Sequence, residues 1–502
     1  MNNLKILINN CMGNLNFKNY CHNIKYLVIF TMMIFCLSSV AQVPMLVSDI
    51  NPGSSSSSPQ FLTPFAGKLY FGTSNLNGLW MTDGADAGTI QTDGINTIGN
   101  DFVSELFVFN SQLFFNTFSI PAWWNTTGGV DNAVSIQPDL NVFGAVPYNS
   151  AVLSSTVLVF GGRDTSISGS PVNLYRSDGS SLNTVSFGSF TSDSNGPTPR
   201  GLWSVNSKML FSAQESATGR ELYSSDATTG TTQMIMDIAP GVGNSLSDVT
   251  GTGGVVLGNE LYIPAFSDAP AGTKLWRSDG TTLGTDAVYD AADVGNGTLV
   301  DYDSPKYLTI FNGSVYFFAT AGVSPRLQLW KVTTGDRHPT QITFDPDFSP
   351  PTGGFGCFGN LTTVVVATTL YFPREDNING CELWSSDGTT MGTQMIKDIN
   401  SGGVDSFPVP MAGFNGELYF TALTASSGFE LWHTDGKITG TLMVSDLNPG
   451  TASSIQNFQM QEYNGELYFI AEDGVHGQEL YKITFPTPDP IFKDGFEQVG
   501  PI

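Results

Sequence analysis

Charge is scarce along this chain, and positive charge scarcer still: only 13% of the 502 residues are charged, and 20 Lys and Arg oppose 45 Asp and Glu for a net charge of −25. Soluble domains are typically about one-quarter charged, so this surface is built mainly from uncharged polar groups. No run of Lys and Arg offsets the acidity. A field of this sign repels phosphate backbones and anionic lipid, which excludes nucleic acid and membrane surfaces as partners. The apolar stretch Leu27 to Leu37 is eleven residues, too short for a bilayer core that needs about 20. Cysteine is sparse as well: Cys11, Cys21 and Cys36 fall in the first 41 residues, leaving Cys357 and Cys381. With no second pair and no His cluster beside them, a zinc site does not fit, and one disulfide does.

What the chain has in excess is glycine, 55 residues, together with 40% apolar and 12% aromatic content. That is ample for a packed core and points to a turn-rich all-β protein. Lys18 and Lys25 precede the short apolar stretch, and Ser39-Val40-Ala41 supplies the small residues of a cleavage site. Residues 1–41 therefore read as a signal peptide, residues 42–485 as the folded region and 486–502 as a Pro-rich tail. The expected location is secreted or on the outer surface.

The folded region repeats. "FNGELYFTALTASSGFELWHTDGKITGTLMVSDLNPG" (Phe414 to Gly450) returns as "CELWSSDGTTMGTQMIKDIN", "KLWRSDGTTLGT" and "ELYSSDATTGTTQMIMDIAPG", with worn copies elsewhere. The aromatic of each copy falls at Trp80, Trp124, Tyr175, Tyr223, Trp276, Trp330, Trp384, Trp432 and Tyr481, at spacings between 44 and 54 residues. A period near 50 is that of propeller blades. Within a unit, Asn415-Gly416 marks a hairpin, and "LYFTA", "ELWHT" and "GTLMVSDL" follow as second, third and fourth strands. The runs Leu-Tyr-Phe and Leu-Met-Val lack alternation, so both sheet faces are covered by neighbouring units. The last unit lacks its fourth strand, whereas "PMLVSDINPG" (Pro44 to Gly53) opens the mature chain as a near copy of one. The expectation is a single closed β-propeller of about nine four-stranded blades, with eight plus an insertion as the alternative, closed by the N-terminal strand on the last blade.

At these residues the chain resembles the bacterial ELWxxDGT repeat proteins: residues 382–389 match that pattern in full, and 430–436 match up to Lys437 at the Thr position. The resemblance spans nearly the whole folded region. It implies a secreted or surface-exposed propeller-like protein and no settled activity. Departures are Ala227 for Gly, Tyr for Trp at 175, 223 and 481, and the degenerate second and sixth units.

Motifs that look chemical read as structural. The turns at Asp83, Asp178, Asp226, Asp279, Asp387 and Asp435 each supply one carboxylate where a calcium loop needs several, so Asp caps a turn and Gly takes positive φ. Glu221, Glu382, Glu430 and Glu479 recur in equivalent environments, which does not split pKa values as catalysis requires; they are expected to hold a neighbouring loop. His338, His433 and His476 are scattered, and no nucleophile elbow, P-loop or zinc signature is present. No catalytic residue, metal ligand or cofactor is assigned. The variable connections lie on one face, opposite the tight turns, and their unrepeated charges Arg163, Asp164, Asp301, Asp303, Arg374 and Asp376 are the candidate ligand contacts. The reading is a non-enzymatic binding or adhesion scaffold for an extracellular polysaccharide or surface protein. A polysaccharide hydrolase or lyase with its site at the pore, and a metal-dependent structural surface protein, are the alternatives.

Overall fold

In the eighth unit, Asn415 and Gly416 have φ of 51° and 81°. Two successive left-handed residues make a type I′ turn, whose twist matches that of the strands it joins. Around it, Val409–Phe414, Glu417–Thr424, Gly428–Thr434 and Leu442–Ser445 form an antiparallel sheet in chain order. Leu418, Tyr419 and Phe420 are all fully buried, because the blade is covered on both faces.

The computed structural model describes residues 42–93, 102–117, 123–135, 140–141, 150–164, 172–189, 199–246, 253–268, 271–289, 302–321, 324–344, 357, 362–376 and 378–485. Within Pro44–Thr484, one compact unit, nine such sheets follow one another as the blades of a β-propeller. The third blade is the irregular one. Its inner strand is split into Leu140–Asn141 and Ser150–Ser154, both paired with Val157–Asp164. The second blade, eroded in sequence, keeps four strands. The expected signal peptide and tail lie outside the described residues.

The ninth blade borrows its outer strand from the other end of the chain. Pro44–Ser48 pairs antiparallel with Glu479–Ile483, with Pro44 opposite Ile483 and Leu46 opposite Tyr481. Val47 then joins Leu62, Leu69 and Phe71 of the first blade and Tyr468, Ile470 and Leu480 of the ninth in one buried cluster. Closure therefore removes the two edges an open stack would expose.

Adjacent blades also interlock through the Asp-Gly turns. A Cβ on Gly388 of the seventh blade, where φ is +92°, would lie 2.3 Å from Tyr316 Oη of the sixth; the same relation links Gly436 to Tyr371 at 3.0 Å and, across the closure, Gly84 to Tyr468 at 2.3 Å. Gly416 has a similar φ of +81° but open space around it. Gly388→Ala is expected to cost about 2–4 kcal/mol, combining backbone strain with overpacking, and Gly416→Ala only about 1 kcal/mol. Urea unfolding of the two variants separates the contributions; equal losses would show that the tyrosine contact carries none of the effect.

Candidate functional site

In an up-and-down blade, the first-to-second and third-to-fourth turns share one end, and the other two connections share the opposite end. The sequence-predicted contacts fall at the second end. Arg374 and Asp376 lie two residues apart on Thr369–Asp376 of the seventh blade, so they share a strand face. Arg374 sits 4.4 Å over the Trp384 ring and reaches the Phe344 carbonyl at 3.5 Å. Asp376 accepts from Ile378 N at 2.8 Å and Asn379 N at 2.6 Å, closing its own turn. Partial burial pushes its carboxyl up, but the Asn379 and Ile378 donors and the Arg374 charge outweigh this and hold it below the usual range.

Asp303 is the second residue of the innermost strand of the sixth blade, Tyr302–Phe311, opposite Thr320, and lies against Gly272 near the start of the fifth blade's third strand. Its Oδ1 is buried with no hydrogen-bond partner among the described residues. Arg163 and Asp164 belong to the third blade, paired in backbone register with Asn141 and Leu140. Two blades separate them from Asp303, so the candidates form two groups rather than one constellation. Asp301 lies outside the described residues, as does most of each long connection.

The four recurring glutamates have a single job. Glu382 is fully buried and accepts from Ile399 N at 3.1 Å, Asn400 N at 3.4 Å and Ser406 Oγ at 2.6 Å. Glu221 takes Ile238 N, Ser245 N and Ser245 Oγ; Glu430 takes Leu447 N, Ser454 N and Ser454 Oγ; Glu479 takes Ile50 N, Asn51 N, Ser57 N and Ser57 Oγ. Each carboxylate thus fastens the connection that leads into the following blade. Burial pushes all four carboxyls up, against the pull of the Ser hydroxyls and backbone donors; Glu382 and Glu430 reach about 7.

The Asp turns are equally self-contained. Asp387 Oδ1 accepts from Thr389 N at 2.9 Å and Thr389 Oγ1 at 2.7 Å, which holds its carboxyl below the usual range. Asp83, Asp178, Asp226, Asp279 and Asp435 accept the backbone N–H two residues on in the same way. A Cβ at Gly392 would fall on Asp387 Oδ1, so this turn needs its glycine five residues after the Asp, whereas Asn183 and Thr231 hold that place in the Asp178 and Asp226 turns. Among the described residues no group of three or more His, Cys, Asp and Glu side chains could hold a metal ion, and no helix is long and apolar enough to cross a membrane.

Cys357 and Cys381 form a disulfide with a Cα separation of 5.5 Å. It ties the connection entering the seventh blade to that blade's third strand, beside the turn that Asp376 closes. His433 pairs with Glu417 at 3.0 Å, His476 with Asp473 at 2.8 Å and His338 with Asp336 at 3.1 Å.

Sequence reading missed a cavity of about 400 Å³ between the sixth and seventh blades, at the tight-turn end. Lys331, Asp336 and His338 line it from one side and Thr389 and Thr390 from the other. Its signal lies in the sixth unit, where "LWKVTTGDRH" replaces the usual third-strand and Asp-Gly pattern.

No protein-family model and no curated protein sequence matches the chain. Among solved structures it is similar to a puromycin hydrolase (11% identity, 78% of this chain, TM-score 0.36), to a Mycobacterium tuberculosis puromycin-hydrolyzing peptidase (10%, 76%, 0.37) and to the Niastella koreensis GH74 enzyme (12%, 82%, 0.28). The chain spans 61% of the length of each of the first two and 66% of the third. At these values the likeness gives no residue of this chain a role.

Proposed function

We propose that the chain is a secreted or surface-exposed, non-enzymatic binding scaffold of the ELWxxDGT-repeat kind, with an extracellular polysaccharide or surface protein as its ligand. One observation carries this reading: the repeated carboxylates, the groups most suggestive of chemistry, are spent on backbone. Glu221, Glu382, Glu430 and Glu479 each satisfy three or four donors of a connection, and the turn aspartates satisfy their own turns. Repeated blades held this way present many similar edges, and similar weak contacts multiply into avidity.

Contact is placed on the long-connection face, with Arg163, Asp164, Asp301, Asp303, Arg374 and Asp376 among its lining. Function usually sits on variable loops carried by a rigid frame. The test is an array of extracellular polysaccharides and surface proteins probed with the exported chain. Binding that falls at least fivefold in Asp303→Ala and Arg374→Ala, and is unchanged in Lys437→Ala on the opposite face, is expected. Loss in Lys437→Ala alone would reverse the face assignment. Depolymerisation of a polysaccharide during the assay would replace the scaffold reading with the hydrolase or lyase alternative.

A further inference from the structure

The geometry points to a second binding site, for the carboxylate of an acidic sugar residue, in the cavity between the sixth and seventh blades. It lies at the tight-turn end and stands apart from the long-connection face, so neither reading depends on the other.

The argument begins with one repeated cross-strand position. Among the described residues, a basic side chain stands directly opposite the Tyr of Leu-Tyr-Phe, or its equivalent, in four blades: Arg277 opposite Tyr262, Lys331 opposite Tyr316, His433 opposite Tyr419 and Lys482 opposite Tyr468. In three of them a Glu two residues before the Tyr faces that basic side chain. Arg277 lies 3.6 Å from Glu260 and 2.8 Å from Asp286, His433 3.0 Å from Glu417 and Lys482 2.9 Å from Glu466. In the sixth blade that Glu is Ser314. Lys331 keeps the Tyr316 ring beneath it at 5.7 Å and has no carboxylate partner among the described residues.

The third blade obeys the same rule. Val157 replaces the Glu there, and Arg176, opposite Val159, lines a smaller cavity of about 200 Å³ with no ion pair among the described residues. Where the Glu is kept in these blades, it pairs with the basic side chain; where it is lost, Lys331 and Arg176 border open space. In a chain of net charge −25, an unneutralised ammonium inside a cavity is a strong local preference for an anion.

What surrounds Lys331 selects the kind of anion. The cavity, about 400 Å³, lies within the usual range for small-molecule sites, roughly 300–1,000 Å³. Thr333, Thr340, Thr389 and Thr390 line it, and threonine hydroxyls both donate to and accept from sugar hydroxyls. Asp336, the carboxylate in the lining, is already engaged: it accepts from His338 N at 2.9 Å and faces His338 Nδ1 at 3.1 Å. A bare anion would satisfy Lys331 and leave the hydroxyls idle, whereas a neutral sugar would do the reverse. A uronate uses both.

The probe is sodium glucuronate, titrated calorimetrically into the exported chain in a chloride buffer, with glucose and acetate in parallel. Glucuronate is expected to bind at least tenfold more tightly than either. Lys331→Gln should weaken it at least tenfold. Ser314→Glu should do the same in a chain that still unfolds in one thermal transition, because it restores the Glu that faces the basic side chain in the fifth, eighth and ninth blades. Glucose binding as well as glucuronate would overturn the role of the ammonium, and acetate binding as well would overturn the sugar. Undiminished glucuronate affinity in a folded Ser314→Glu variant, or no glucuronate binding by the wild-type chain, would overturn the site itself.

Discussion

Removing residues 42–53 is expected to open the ring rather than shorten it. The segment carries Pro44–Ser48, the outer strand of the ninth blade, and the ladder to Glu479–Ile483 goes with it. Val47, 4% exposed, leaves the cluster that joins the first and ninth blades, a loss of about 1.5–3 kcal/mol. Ile50 N and Asn51 N, which donate to the fully buried Glu479, disappear too, leaving that carboxylate with Ser57 alone. Each such charge-assisted bond is worth about 1.5–3 kcal/mol. The exposed edge at Glu479–Ile483 then becomes a template for pairing with another chain. Thermal unfolding of the truncated protein should lose its single cooperative transition and become concentration-dependent through aggregation. Met45→Ser, at a half-exposed position of the same strand, should behave like wild type. An unchanged single transition in the truncated chain would show that the strand pairing is dispensable to closure.

How much of this was legible beforehand varies with the kind of information each residue carries. Asn415-Gly416 and the two-faced Leu418-Tyr419-Phe420 run encode their conformation locally, so blade topology and closure could be read directly. The loop-holding role of Glu382 was also accessible, since its recurrence argued against catalysis; its donors, Ile399, Asn400 and Ser406, lie 17 to 24 residues on and needed coordinates. The third blade's split inner strand was not legible, because Leu140–Asn141 and Ser150–Ser154 carry no repeat signature. Lys331 is silent in the sequence for a different reason. Its meaning lies in what faces it across the strand, and only the register showed that Ser314 stands where other blades have Glu. Arg374 and Asp376 stand out in the sequence as unrepeated charges, and the structure adds that each is already engaged, by Trp384 or by its own turn.

Stability should fall as pH rises from about 4.5 to about 7, the reverse of ordinary acid denaturation. Glu382 and Glu430 are wholly buried, and burial, reinforced by Asp398 and Asp446 alongside, pushes both carboxyls up to about 7 despite the Ser406 and Ser454 hydroxyls and the backbone donors. Glu221 and Glu479 are raised by the same cause. The unfolded chain releases these protons near the ordinary Glu value of about 4.5, whereas the folded chain holds them longer. Their stabilisation is therefore complete below about 4.5 and is lost as pH climbs through the folded values; for Glu382 and Glu430 it amounts to about 3 kcal/mol each. At the acid end the opposite sign takes over. Asp473, held at about 2 by the donors of Val475 and His476 against its partial burial, and the lowered turn aspartates lose their contribution below about 4. Urea midpoints should accordingly peak near pH 4.5–5 and decline to pH 7.5. Glu382→Gln/Glu430→Gln removes the two groups with the largest shifts and should abolish more than half of that decline, while Glu382→Ala, which orphans three donors, should cost about 3–5 kcal/mol at any pH. Midpoints that rise between pH 5 and 7.5 in the wild type would mean that the donor hydrogen bonds outweigh burial and that these glutamates are held as anions throughout.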